Sequence, residues 1–181
     1  MVIRYVQPVH SALVERFLTE LKQASKQGSV LDLACGNGRN GLYLARLGIP
    51  VVFADHDTDK LSQIDSIIKA EKLPAKTWLI DLEAGEPVVD QMFGAIIVFR
   101  YLHRPLFKLI KASIADSGLV IYETFNLGQR AYGRPHNPDF LLRENELVEQ
   151  FDDWQIIHHF EGVVADPERS ISQVVALREL Q

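Results

Sequence analysis

A chain of 181 residues matches one ordinary domain, and its 47% hydrophobic content is enough to build a core. With 24 acids against 19 bases the formal charge is −5, which disfavours wholesale binding to nucleic-acid backbones. The single cysteine, Cys35, excludes an internal disulfide and a cysteine-rich zinc site. Apolar runs such as Ala95–Phe99 fall far short of the roughly 20 residues that cross a bilayer. Arg4, Gln7, Pro8 and His10 interrupt the apolar stretch a signal peptide needs, so the expectation is a cytoplasmic protein without a membrane anchor.

In chain order, Val14, Phe17, Leu18 and Leu21 share one helical face, with Ser11 as cap and Gly28 as stop. Ser29–Leu33 reads as a buried strand, followed by a glycine-rich turn and a helix from about Arg39 to Leu47, closed by Gly48 and Pro50. Val51–Ala54 is a second strand, and Thr58 caps a helix with Leu61, Ile64, Ile67 and Ile68 on its apolar face. Thr77–Ile80, Ala95–Phe99 and Leu119–Thr124 are strands three to five, with a helix from about Pro105 to Ala115 between the last two. Asn126–Leu142 reads as a long loop, in which Gly128 and Gly133 leave room for lid-like closure. A short helix, Glu144–Phe151, precedes strands Trp154–Phe160 and Ile171–Leu177, which turn near Pro167 and form an antiparallel pair at the sheet edge. The alternation predicts an α/β fold: a Rossmann-like, seven-stranded, mostly parallel sheet with an antiparallel C-terminal β-hairpin and helices on both faces.

Gly36, Gly38 and Gly41 satisfy G-x-G-x-x-G between a strand and a helix, where glycine lets the backbone approach a ligand at the helix N-terminus. Asp55 stands 19 residues after Gly36, suited to a ribose diol. Asp32 closes the first strand and Asp81 follows the third, so three carboxylates fall along one sheet edge. An ammonium, a diol and an exocyclic amine would use all three, whereas the pyrophosphate of a dinucleotide would be repelled by Asp32. A single-domain short-chain dehydrogenase is excluded because no tyrosine has a lysine four residues on.

On these residues the chain resembles the class I S-adenosylmethionine-dependent methyltransferases, from about Ser29 onward. Ala34 replaces the first glycine of that family's usual acid-x-G-x-G-x-G pattern. The resemblance implies S-adenosyl-L-methionine as cofactor, with Asp32, Ala34, Gly36 and Gly38 at its methionine end and Asp55 on the ribose hydroxyls. It also implies His56 along the adenine, Asp81 and the Leu82 backbone at the adenine edge, and the backbone near Phe99 at the methionine amino group. A narrower resemblance, carried by Phe99–Pro105, Tyr122–Phe125 and segment 137–147, is to the tellurite-resistance-type branch of small-molecule methyltransferases.

Within a single domain spanning 1–181, this divides the chain into an N-terminal helical cap (1–28), a cofactor core (29–125), a substrate lid (126–142) and a closing helix with hairpin (143–181). Between Gln91 and Ala115 there are four bases and no acid, and Arg130, Arg134 and Arg143 lie beyond; Glu144–Glu168 holds eight acids and no base. That asymmetry fits a small, anionic methyl acceptor rather than a nucleic acid. His103 is the candidate base, with Tyr101 and Glu123 beside it as catalytic candidates. Arg100, Arg104, Arg130, Tyr132 and Arg134 are candidates for holding the acceptor, with Tyr5 and His10 closing the pocket from the N-terminus. His158 and His159 alternate on one strand, without the further ligands a metal needs. Cys35 stands at a helix N-terminus, where a thiolate is favoured, but a small residue in a tight cofactor loop explains it better. Two other functions share this reading: an RNA or protein methyltransferase with a docking partner, and a non-catalytic cofactor-binding module. Oligomeric state is open at this level.

Overall fold

The computed structural model describes residues 9–85, 91–165 and 167–179. The opening helical face forms as two helices, α1 (Ala12–Arg16) and α2 (Leu18–Ala24), rather than one. The break falls at Phe17, whose φ of −106° and ψ of 26° leave the helical region while its side chain goes into the core. Ser11 caps α1 by accepting the Leu13 N–H.

Strand β1 (Val30–Leu33) leads through the glycine turn into α3 (Arg39–Arg46), then β2 (Val51–Asp55), α4 (Thr58–Glu71) and β3 (Ala75–Leu79). Asp57, one residue ahead of the expected Thr58, caps α4 by accepting the Asp59 and Lys60 N–H groups. β4 (Phe93–Phe99) and α5 (Leu106–Ser113) follow, and α5 is shorter than expected because Ile114 already pairs with Phe93. β5 (Ile114–Phe125) leads into two 3-10 turns, Leu127–Ala131 and Pro138–Phe140. Then come α6 (Glu146–Glu149), β6 (Gln155–Val164) and β7 (Arg169–Leu177).

The seven strands run in the order β3-β2-β1-β4-β5-β7-β6. The first five are parallel, and β7 is antiparallel to both β5 and β6, so the hairpin inserts its second strand inward and leaves β6 at the edge. Side-chain alternation splits the core. Val30, Phe53, Ile97 and Ile121 face α1–α4, whereas Leu31, Val98, Tyr122 and Val174 face α5 and α6. All five parallel strands therefore deliver their following loops to one edge, the position where ligands bind in open α/β sheets. No helix among the described residues is long and apolar enough to cross a membrane.

Candidate active site

The turn after β1 is built from left-handed residues: Ala34, Gly36 and Gly38 have φ of 54°, 55° and 69°. A Cβ on Gly36 would meet nothing within 4 Å, so this glycine is needed for its backbone conformation and borders open space. A Cβ on Gly38 would come within 2.8 Å of Ile64, so the second glycine lets the turn settle onto α4.

The three aspartates have different surroundings. Asp32 is buried, and its Oδ2 accepts the Gly41 N–H at 2.9 Å inside α3. Burial raises its pKa to about 7, opposed by that hydrogen bond and the Arg39 charge. Its Oδ2 thus ties β1 to α3, while Oδ1 takes no hydrogen bond from any described residue. Asp55 accepts the Gly36 N–H at 2.8 Å through Oδ2 and the Asp57 N–H at 3.0 Å through Oδ1. Each oxygen keeps a second lone pair for a diol. His56 is largely exposed, with its Nδ1 3.6 Å from Asp55. Asp81 is exposed and accepts the Glu83 N–H, while the Leu82 side chain packs into the α5-side core and anchors that loop. Phe99 is half-buried at the end of β4. Burial pushes the Cys35 thiol well above its ordinary range, so it is a small residue in a tight turn rather than a thiolate.

The other candidates fall into separate groups. The Tyr101 hydroxyl donates to Glu83 at 3.2 Å, and burial, with Glu83 next, raises its pKa; it is a donor, not a base. The Tyr122 hydroxyl donates to the Tyr101 carbonyl and fixes that loop. His103 lines a cleft of about 170 Å³ with Gly85, Pro105, Leu106 and Lys108, beside α5. Arg104 is not a free anion-binding side chain. It donates to both oxygens of buried Glu146 at 2.6 and 3.0 Å and to the Asp139 and Leu141 carbonyls. His10 is stacked on Tyr43 at 3.6 Å, in a cleft of about 410 Å³ shared with Asn37, Arg39 and Lys60. Tyr5 lies outside the described residues.

The expected lid is a fastened loop. Asn126 and Leu142 bridge its neck, Gln129 accepts the Ser170 N–H, and Asn126 accepts the Ser170 hydroxyl. A Cβ on Gly128 would lie 2.5 Å from Ser170 Oγ, so this glycine permits close packing onto β7, not movement. Arg130, Tyr132 and Arg134 are exposed on the loop, and their side chains make no ion pair among the described residues.

Two arginines absent from the sequence expectation, Arg39 and Arg169, share an electrostatic neighbourhood with Arg100 and Glu123. Burial lowers the Arg39 pKa, the charges of Arg100 and Arg169 lower it further, and Glu123 opposes them. Arg169 Nε is buried without a hydrogen-bond partner among the described residues. Arg100, in the left-handed region at φ 57°, donates its N–H to the Glu123 carbonyl at 2.8 Å. Glu123 is 4% exposed, and its Oε2 accepts from Gln173 at 2.7 Å. The local signal for Arg39 was its place as the first residue of the helix after the glycine turn. Arg169 is 130 residues from it and reaches the site only through the hairpin.

Comparison with known proteins places these features. The family model described as "Tellurite resistance protein TehB" matches residues 5–166. A Haemophilus influenzae protein named "Probable S-adenosyl-L-methionine-dependent methyltransferase TehB" is 31% identical over 140 residues, 74% of this chain and 48% of that protein. "Hemagglutinin 1" of Eikenella corrodens is 28% identical over 158 residues, covering 85% and 51% of the two chains. The chain thus spans about half the length of these curated relatives. The crystal structure of TehB from Haemophilus influenzae superposes with a TM-score of 0.78 at 22% identity, over 97% of this chain and 64% of that one. Coclaurine N-methyltransferase bound to N-methylheliamine and SAH superposes at 0.65 with 14% identity, covering 95% and 75%. At these identities the structural likenesses show the fold.

Proposed function

The chain belongs to the TehB family, and from that premise we propose that it is an S-adenosyl-L-methionine-dependent methyltransferase acting on a small anionic acceptor. The observation that carries this reading is the placement at one sheet edge of an open glycine turn held by Asp55 and of three arginines, at the start of α3, the end of β4 and the start of β7. The turn suits the cofactor: Gly36 borders open space, Asp55 keeps free lone pairs for a diol, and Asp81 is exposed for an amine. Gly36 and Gly38 would receive the methionine end and Asp55 the ribose, with His56, Asp81 and Leu82 around the adenine and Phe99 at the amino group. Ala34 shapes the turn, and Asp32 holds it from within. The family description makes a chalcogen oxyanion the first acceptor to test.

When bound, the cofactor supplies a methyl group already activated by a sulfonium. The chain then has to position an acceptor in line and exclude water, which effective-molarity arguments rate at several kcal/mol, about 7 or more for a well-aligned pair. Arg39, Arg100 and Arg169 would neutralise and orient the acceptor; Glu123 stands among them, and Tyr101 fixes the adjoining loop from the acidic side. Arg130, Tyr132 and Arg134 remain candidates for the outer rim, and His103 for the general base. Calorimetric titration with S-adenosylmethionine and S-adenosylhomocysteine tests the cofactor, and transfer of labelled methyl to tellurite or selenite tests the acceptor. Binding of NADH instead would overturn the cofactor assignment, and cofactor binding without any transfer would favour a non-catalytic module.

A further inference from the structure

Glu123 is a buried carboxylate whose charge reaches Arg39, as do those of Arg100, Arg169 and Asp32. Its main-chain carbonyl is held by the Arg100 N–H, and its Oε2 by Gln173 Nε2. Gln173 Oε1 in turn faces His158 Nε2 at 2.9 Å. An amide oxygen only accepts, so His158 donates there, and this sets the amide with its NH₂ toward Glu123. The relay runs across the sheet from β5 through β7 to β6, where the His158 ring packs against Phe17 at 5.6 Å. Glu123 is therefore fixed in orientation, and its Oε1 takes no hydrogen bond from any described residue. Neither does the carboxylate pair with an arginine: among the described residues Glu123 forms no salt bridge, although its charge reaches Arg39. A carboxylate needed only to balance the arginines would pair with one of them.

An ionised carboxylate accepts hydrogen bonds and donates none. Set among arginines that attract any anion, it separates anions by whether they carry a proton. An acceptor with an X–OH group donates a hydrogen bond to Oε1 and keeps its proton, whereas a fully ionised oxyanion would set two lone-pair-bearing oxygens against each other. We propose that Glu123 is a specificity-determining residue of the acceptor site, accepting a hydrogen bond from the hydroxyl of a monoanion and rejecting fully ionised anions, with Gln173 and His158 as its positioning residues. The inference rests on the anionic-acceptor reading above and narrows it to acids that retain one proton near neutral pH.

Selenite and selenate form a suitable probe pair, since near neutral pH the first carries a proton in its dominant form and the second does not. Each is titrated by calorimetry into the full chain saturated with S-adenosylhomocysteine. The wild-type protein binds selenite more tightly by about 100-fold or more, the scale set by leaving a buried charged acceptor without its hydrogen-bond partner. Glu123→Gln, whose amide donates to an ionised oxygen, brings the two anions within about tenfold while S-adenosylhomocysteine still binds. Gln173→Leu keeps the carboxylate but frees it, and gives an intermediate ratio. Equal affinities in the wild type, or an unchanged ratio in Glu123→Gln, overturn the inference and leave the anionic-acceptor reading standing. An unchanged ratio in Gln173→Leu removes the relay from it. Loss of S-adenosylhomocysteine binding in Glu123→Gln alone would move Glu123 to the cofactor site, also overturning the inference. If neither anion binds the wild-type complex, the anionic-acceptor reading falls as well.

Discussion

Asp55 Oδ2 and the Gly36 N–H lie 2.8 Å apart, joining the end of β2 to the tip of the glycine turn. One carboxylate therefore shapes the turn before any ligand arrives and remains available to the ribose afterwards. Asp55→Ala should lower S-adenosylhomocysteine affinity by about tenfold or more, since a charge-assisted hydrogen bond contributes roughly 1.5–3 kcal/mol. Calorimetry reads the affinity, and an unchanged Kd would refute the assignment. Asp55→Asn keeps the shape and one acceptor oxygen, and should fall between the two.

Asp32 makes stability depend on pH. Its folded pKa of about 7 exceeds the ordinary 3.8, so the folded state holds its proton more tightly than the unfolded chain. Stability from this group is undiminished below about pH 3.8, falls as pH rises toward 7, and is level above. Asp32→Asn removes that dependence. Between about pH 5 and about pH 8 the unfolding free energy of the variant should gain on the wild type by up to about 3 kcal/mol. Urea unfolding at both values measures it, and a constant difference would exclude a proton held by Asp32.

Gly41 sits within α3, where alanine would ordinarily be better by about 1 kcal/mol. Here the added methyl would lie 2.7 Å from Asp32 Oδ2 and collide with the Phe53 ring. Overpacking of that kind costs about 1–3 kcal/mol, so Gly41→Ala should destabilise despite its helix propensity. A raised urea midpoint would contradict the close packing of α3 on β2.

The Arg104–Glu146 pair pins the loop between β5 and α6. Burial would raise the Glu146 pKa, but hydrogen bonds from Arg104 and the Arg143 N–H, with both arginine charges, hold it at about 2. Its contribution is present above the ordinary 4.5 and lost as pH falls toward 2. Arg104→Met leaves buried Glu146 with Arg143 alone, its Oε1 unpaired, and should cost about 3 kcal/mol, exposing segment 126–142 to proteolysis. Adding Glu146→Leu should recover most of that loss, because the unpaired charge is gone. Equal protease resistance in wild type and Arg104→Met would show that the loop is held by its neck alone.

The strands, their helices, the closing antiparallel pair and the glycine turn follow from local pattern, whereas the insertion of β7 between β5 and β6 is a matter of the sheet order. Apolar alternation, caps such as Asp57 and glycines with positive φ act within a few residues of one another. The direction of a side chain at a strand end is not local in this way. Asp32, Asp55 and Asp81 look equivalent in the sequence, yet Asp32 turns inward because α3 offers it the Gly41 N–H. Arg104 looks like an anion ligand until Glu146, 42 residues on, claims it. Gly128 looks like a hinge until Ser170 is seen against it.

By itself, then, the sequence determined the α/β sheet, its antiparallel close, the cofactor-type turn and the likeness to a methyltransferase family, because periodicity, turn chemistry and spacing are written along the chain. Only the tertiary structure decided which charges face the site. It made Asp32 and Arg104 internal ties and brought Arg39, Arg100, Arg169 and Glu123 within electrostatic reach of one another. The physical reason is that a charged side chain entering a folded interior takes the partners the packing offers, and those come from strands and loops far apart in sequence.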